Sequence, residues 1–174
     1  MSRERDAYHQ REREEAEKEA QMIRDYQEQY QKDQEAEWKL YQEQTRTGLI
    51  HSMDFDASDA YLLEKIAMAE AESEDTEGKA LVMLVVLNRV WDDEFPDTIE
   101  EVIFQKGQFS PISNGRYDEV EPDEDCYRAL QLIQTGGWDE SHGATYFESK
   151  SVSTWHSENL TFLFKHGKHY FYKE

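Results

Sequence analysis

The chain has 174 residues, 39 of them acidic and 19 basic, for a net charge of −20 at pH 7. That length holds one ordinary domain plus an appendage. The charge excludes a non-specific nucleic-acid binder or a protein held on an anionic membrane surface, because phosphates would repel it, and the single cysteine, Cys126, excludes an internal disulfide.

Residues 1–47 carry nine Lys or Arg and thirteen Asp or Glu, many Gln, and no Gly or Pro. This composition predicts a long polar helix, with Glu and Lys or Arg often three or four residues apart. Met22, Ile23, Tyr26, Tyr30, Trp38, Leu40 and Tyr41 keep a rough helical spacing, but Asp33 and Glu37 interrupt the seam that a coiled coil needs. The segment suits a spacer, or a helix that docks its aromatic side on the domain, on a partner or on a second copy. The composition changes at Thr47-Gly48, and residues 48–174 are expected to form the functional domain.

That domain opens with a helix predicted at about Ser58 to Ser73. Leu63, Ile66 and Glu70 are spaced i, i+3 and i+7, so a carboxylate ends an otherwise apolar stripe. Partial desolvation there raises a carboxyl pKa and lets it keep a proton near neutrality, as a general acid requires. Glu74 has two readings. If the helix persists it neighbours Glu70; if not, it sits in the first turn of the next helix. That next element, about Thr76 to Trp91, contains the run Ala80 to Leu87, whose length favours a buried helix over a strand and falls well short of a membrane span of about 20 residues.

Asp97-Thr-Ile-Glu-Glu101 offers two overlapping capping boxes for a short helix to about Gln105. Pro122 is expected to start a helix ending at Gly136-Gly137. On it Cys126, Leu130 and Ile133 share a face, so Cys126 reads as core rather than nucleophile. Ala144 to Phe147 and His169 to Tyr172 read as short aromatic strands. Helices first and strands later predict an α+β domain. His166-x-x-His169, with His156 or His142 added, is a poor zinc signal, and no metal or cofactor is expected.

The order of segments carries a resemblance. Glu70-Ala-Glu-Ser-Glu-Asp-Thr-Glu-Gly78 leads into Val85-Val-Leu-Asn-Arg89-Val. Phe95-Pro-Asp-Thr98, Val102-Ile-Phe104 and Gln108-Phe-Ser-Pro111 follow. Gly137-Trp-Asp139, Gly143-Ala-Thr-Tyr146-Phe and Gly167-Lys-His169-Tyr-Phe-Tyr complete the set. Over about residues 62–172 the chain resembles the cell wall hydrolase family of spore cortex-lytic enzymes, the SleB/CwlJ type. Ser73 and Asp75 stand where that family usually has Gly and Pro. Thr145, Glu148 and Ser149 stand where it usually has Leu, Tyr and Asn.

The resemblance implies a small lysozyme-like, lytic-transglycosylase-like domain at 48–174, behind a polar helical extension at 1–47. It implies cleavage of peptidoglycan between N-acetylmuramic acid and N-acetylglucosamine, by lytic transglycosylation or muramidase action, with Glu70 as the catalytic acid/base. Glu74, Gln108, Tyr146 and His169 are candidate substrate-binding residues, since polar edges and aromatic faces suit sugars, although His169 also reads as a satisfied core histidine. Phe109 and Phe147 read as packing, and Asn88-Arg89 as holding the helix end. One Glu suffices where the substrate's own N-acetyl group stabilises the cationic centre.

Two rival readings are a wall-binding or scaffold module without catalysis, suggested by the charge, and an assembly protein built on the amino-terminal helix. Neither a signal core nor a membrane span is legible. Synthesis in the cytoplasm, with action on the wall after release in the manner of a phage lysin, is therefore the expectation.

Overall fold

The computed structural model describes residues 2–53, 55–149 and 154–174, in two units, Met1–Gln42 and Glu43–Glu174. Where Gln, Glu, Lys and Arg dominate, the chain is one helix, α1 (Ser2–Ser52). Side chains four apart support it, among them Gln10 to Glu14 at 3.1 Å, Gln29 to Asp33 at 2.8 Å and Lys32 to Glu28 at 2.7 Å. Met22, Tyr26, Tyr30 and Trp38 stay exposed on it. The helix passes the composition break and runs through Gly48 to Ser52. Ile50 explains this: it is buried in the second unit's core, and its burial outweighs the roughly 1 kcal/mol that a helical glycine costs.

In the second unit, acidic and hydroxyl side chains start the principal helices by accepting bonds from backbone N–H groups. Asp56 caps α2 (Ala57–Ala71) and Asp75 caps α3 (Thr76–Val90). Thr98 caps α4 (Ile99–Phe104), so the second of the two overlapping boxes forms and Asp97 stays outside. Two short turns of helix follow, α5 (Ser110–Asn114) and α6 (Arg116–Glu119), separated by Gly115 at φ 84°. Helix α7 (Glu124–Gln134) begins later than expected. Pro122 lies one residue before the cap, because the Asp123 carboxylate takes the Cys126 N–H at 2.8 Å.

The remainder is β1 (Tyr146–Ser149), the short α8 (Trp155–Asn159), β2 (Thr161–His166) and β3 (His169–Lys173). The strands form an antiparallel sheet in the order β1-β3-β2. Strand β2 had no sequence expectation, since it is half-exposed and lacks a clean alternation. It pairs His166 with His169 across a tight turn and carries a bulge between Phe162 and Phe164. Beyond it, Phe164 stacks on the buried Phe171 at 4.7 Å between ring centroids.

Helix α3 is the centre of the unit. Every residue from Gly78 to Arg89 is buried, packed among α2, α4, α7 and β1. At its end, Asn88 Nδ2 donates to Ser141 Oγ at 3.0 Å and to the Ala144 carbonyl at 2.9 Å. Arg89 Nε donates to the Thr145 carbonyl. Two carbonyls of the segment entering β1 are thereby fixed to the helix. Cys126 is buried, and burial pushes its thiol up to about 12, which leaves a packing role.

Replacing Asn88 with Ala should remove both anchoring bonds from a buried site and cost about 2 kcal/mol of folding stability. Urea unfolding of the Asn88→Ala protein checks this, and an unchanged midpoint would rule the anchor out.

Candidate active site

Glu70 lies in the last turn of α2, one step along the face on which Leu63 and Ile66 are fully buried. It is half-buried in the wall of a cleft of about 640 Å³. Burial pushes its carboxyl up to about 7, against the opposing pull of Arg116 and then Arg89. Arg116 reaches α2 from α6. Its Nε donates to the Ala69 carbonyl at 2.9 Å and its Nη2 pairs with Glu72.

The cleft brings together all five residues named from the sequence: Glu70, Glu74, Gln108, Tyr146 and His169. They come from four places in the chain. Gln108 lies in the turn between α4 and α5, Tyr146 opens β1, and His169 opens β3. Glu74 corrects both expectations for it. Helix α2 ends at Ala71 and α3 starts at Thr76, so Glu74 belongs to neither helix but to the turn between them. Its carboxylate accepts the Lys168 backbone N–H at 3.3 Å. His169 is buried, yet it is not the satisfied core histidine of the alternative reading. Its Nδ1 has no hydrogen-bond partner, and its ring meets Phe147 edge-on at 5.1 Å. Burial lowers its pKa, favouring the neutral ring.

Several lining residues carried no site expectation: Ser73, Arg89, Glu148, Trp155 and Lys168. Arg89 does hold the helix end, as expected, and also reaches the cleft. There it lies over the rings of Phe95, Phe109 and Tyr146 at 4.9, 5.1 and 5.3 Å. Phe147 both packs and lines the cleft. Glu148 accepts the Tyr172 hydroxyl at 3.0 Å and lies 3.0 Å from His156 Nδ1. Trp155 is 6.4 Å from Tyr146 between centroids, so two aromatic faces flank the opening. A tryptophan in an otherwise polar stretch was the signal available in the sequence for α8.

The turn after β2 closes one end of the cleft against the α2–α3 turn. Lys168 Nζ donates to Ser73 Oγ at 3.0 Å, and His166 Nε2 donates to Asp75 Oδ1 at 2.7 Å. Gly167 sits at φ 52°, a left-handed conformation that favours glycine, and a Cβ there would displace the Glu74 carboxylate from its place at the turn. His166 and His169 therefore face different groups. Among the described residues the ligand atoms that lie within 4.8 Å of one another belong to Asp75, Glu77 and His166. Asp75 Oδ1 is already engaged there as the α3 cap and as the acceptor for His166.

A cleft flanked by aromatic faces, edged with amide, hydroxyl and imidazole groups and holding one carboxyl near neutrality suits a sugar chain and proton transfer. Comparison with known proteins agrees. The chain is 31% identical over 123 residues to a spore cortex-lytic enzyme of Oceanobacillus iheyensis, covering 68% of this chain and 43% of that protein. It is 33% identical over 100 residues to one of Halalkalibacterium halodurans, covering 58% and 30%. It thus spans less than half the length of these relatives. Among solved structures it is similar to the catalytic domain of the germination-specific lytic transglycosylase SleB from Bacillus anthracis. The TM-score is 0.60 at 28% identity, over 68% of this chain and 97% of that domain. The fold is accordingly lysozyme-like, with the small sheet set beside a helical body. With residues 73–172 matched by the profile of the Cell Wall Hydrolase family, the chain belongs to that family.

Proposed function

We propose that this protein cleaves the glycan strands of peptidoglycan between N-acetylmuramic acid and N-acetylglucosamine, as a lytic transglycosylase using Glu70. The observation that carries the reading is a carboxyl raised to about 7 by burial in a sugar-sized cleft. The names of the relatives point to the same chemistry. The other carboxylates lining the cleft, Glu74 and Glu148, are each held by protein donors, so Glu70 is the one poised to exchange a proton.

Protonated Glu70 gives its hydrogen to the glycosidic oxygen, and the bond from that oxygen to the muramic acid C1 breaks. The substrate's N-acetyl group supports the cationic carbon, which removes the need for a second enzyme carboxylate. The Glu70 carboxylate then takes the proton of the muramic acid 6-hydroxyl as O6 bonds to C1, closing an anhydro ring. Gln108, Tyr146, His169 and Glu74 hold the strand, with Tyr146 and Trp155 offering faces to its sugar rings. Residues 43–174 carry this activity, and the amino-terminal helix is an extension to it.

Glu70→Gln should reduce release of soluble muropeptides from purified sacculi by about a thousandfold. Mass spectrometry of the native products should show anhydro ends. Reducing ends instead would assign water as the nucleophile, and an active Glu70→Gln protein would reject the mechanism.

The acid form of Glu70 is the working form, so native kcat/KM should fall as pH rises through about 7. Stability shares the sign. A folded pKa raised from 4.5 to about 7 means that stability present below 4.5 is lost as pH climbs through 7. Glu70→Gln should therefore melt above the native protein at pH 8, with the gap narrowing at pH 4. A gap independent of pH would show that Glu70 is not desolvated.

A chain beginning at Glu43 should keep full specific activity on sacculi. Light scattering of the two chains then reports whether the exposed aromatic side of α1 holds a second copy, through a mass that drops from dimer to monomer on truncation.

A further inference from the structure

Arg89 is a buried cation that the fold leaves incompletely paired. It is 2% exposed, and its Nη1 has no hydrogen-bond partner. Among the described residues it makes no ion pair. The contrast with the other cations of the unit is clear. Lys79, equally buried, is bracketed by Asp125 at 2.9 Å and Asp123 at 3.6 Å. Arg116 is committed to Glu72 and to the Ala69 carbonyl. A buried donor without an acceptor is a cost that native structures rarely carry away from functional sites.

The arginine is nevertheless held firmly. Its Nε donates to the Thr145 carbonyl at 2.6 Å, and three aromatic rings surround the guanidinium plane. The cleft's other carboxylates are already taken, Glu74 by the Lys168 N–H and Glu148 by the Tyr172 hydroxyl. Glu70 shares the cleft wall with Arg89, and each charge acts on the other.

We infer that Arg89 is a positioning residue for proton transfer, its Nη1 being the donor reserved for the carboxylate that Glu70 becomes once its proton has left. The inference rests on the reading of Glu70 as the acid. In the resting arrangement Glu70 makes no hydrogen bond with Nη1, and the donor is unpaired. As the proton passes to the glycosidic oxygen and the C1–O bond breaks, negative charge appears on Glu70 and Nη1 gains its acceptor. The bond is made in the transition state and absent from the ground state, so it accelerates the step rather than merely tightening binding. Thr145 and the rings hold the guanidinium beforehand, so the adjustment that closes the bond falls to the Glu70 side chain. When Glu70 recovers a proton from the 6-hydroxyl, the pair dissolves and the resting arrangement returns.

Two other groups from packed elements act on this pair: Arg116 of α6, whose charge favours the Glu70 carboxylate as that of Arg89 does, and Tyr146 of β1, whose hydroxyl acts on Arg89. Glu74, Glu148, His156, Lys168 and His169 face the same cleft.

The test compares muropeptide release from sacculi between pH 5 and 9 for native protein, Arg89→Gln, Arg89→Lys, Glu70→Gln and the double variant, with melting temperature as a folding control. Arg89→Gln should lower kcat at least about tenfold with KM within about twofold, and should move the alkaline limb up by about one pH unit, because the neighbouring positive charge is gone. Loss of folding alone would scale activity at every pH without moving that limb. Arg89→Lys keeps the charge but has no Nη1, so the limb should stay near its native position while kcat still falls. This variant also serves if Arg89→Gln does not fold. In the Glu70→Gln background, removing Arg89 should cost nothing further. A native kcat for Arg89→Lys, or an unmoved limb for a folded Arg89→Gln, would overturn the inference. An active Glu70→Gln would instead overturn the acid role of Glu70 on which it rests.

Discussion

Helix α3 has no solvent-facing side from Gly78 to Arg89, and the site is assembled around that constraint. A helix enclosed in this way must be apolar along most of its length, and the polar groups at its ends call for partners. Lys79 finds them near the start in Asp125 and Asp123, and the Asn88 amide nitrogen finds them near the end in Ser141 and Ala144. The polar ends of one buried helix thereby fix α7 on one side and the approach to β1 on the other. Gly78 contributes by its size. A Cβ there would lie 2.8 Å from that of Glu74 and 3.3 Å from the His166 ring, so glycine lets the α2–α3 turn and the sheet hairpin meet over the helix start. The two turns that shape the cleft end are thus positioned by a helix that barely touches the cleft itself.

The chemistry of the site comes from unequal desolvation within a very acidic protein. Most of the 39 carboxylates are solvated, and they set the long-range field rather than the local chemistry. That field is screened over about 8–10 Å at physiological salt. Inside the cleft the local balance is different: Arg89, Lys168 and two histidines share the wall with three glutamates. Two of those glutamates are tied to donors, and burial leaves the third inclined to keep its hydrogen. A net charge of −20 therefore does not prevent a glycan strand from meeting a locally mixed surface.

Three of the five positions at which the sequence departs from the usual family pattern make polar contacts with the sheet and its hairpin turn. Ser73 and Asp75, which replace the customary Gly and Pro, receive Lys168 and His166 from the hairpin turn. Glu148, in place of Tyr, is matched by His156 and the Tyr172 hydroxyl. Each of these three brings in a side chain able to accept a hydrogen bond, and each has a donor. The substitutions read as one rearranged set of polar contacts around a retained carboxyl, rather than as decay of the site.

What the sequence by itself determined was whatever depends on near neighbours in the chain. Helical spacing placed Glu70 at the end of the Leu63–Ile66 stripe, the length of the apolar run made α3 a helix, and Thr98 with Glu101 marked the start of α4. The succession of short motifs identified the family, because motif order survives where overall identity is near 30%. Only the tertiary structure decided where Glu74 belongs, since the α2–α3 turn is held by a hairpin more than 90 residues away. It also decided that α1 runs on past Gly48, through the burial of Ile50, and that β2 exists, through its pairing with β3. Arg89 shows the limit most clearly. Its sequence neighbours mark it as a helix-end residue, and its bond to Thr145, 56 residues on, shows what that end is tied to. Its unpaired Nη1, its three rings and its place in the wall beside Glu70 depend on segments that meet only after folding, and a one-dimensional pattern holds no record of desolvation created by distant chain.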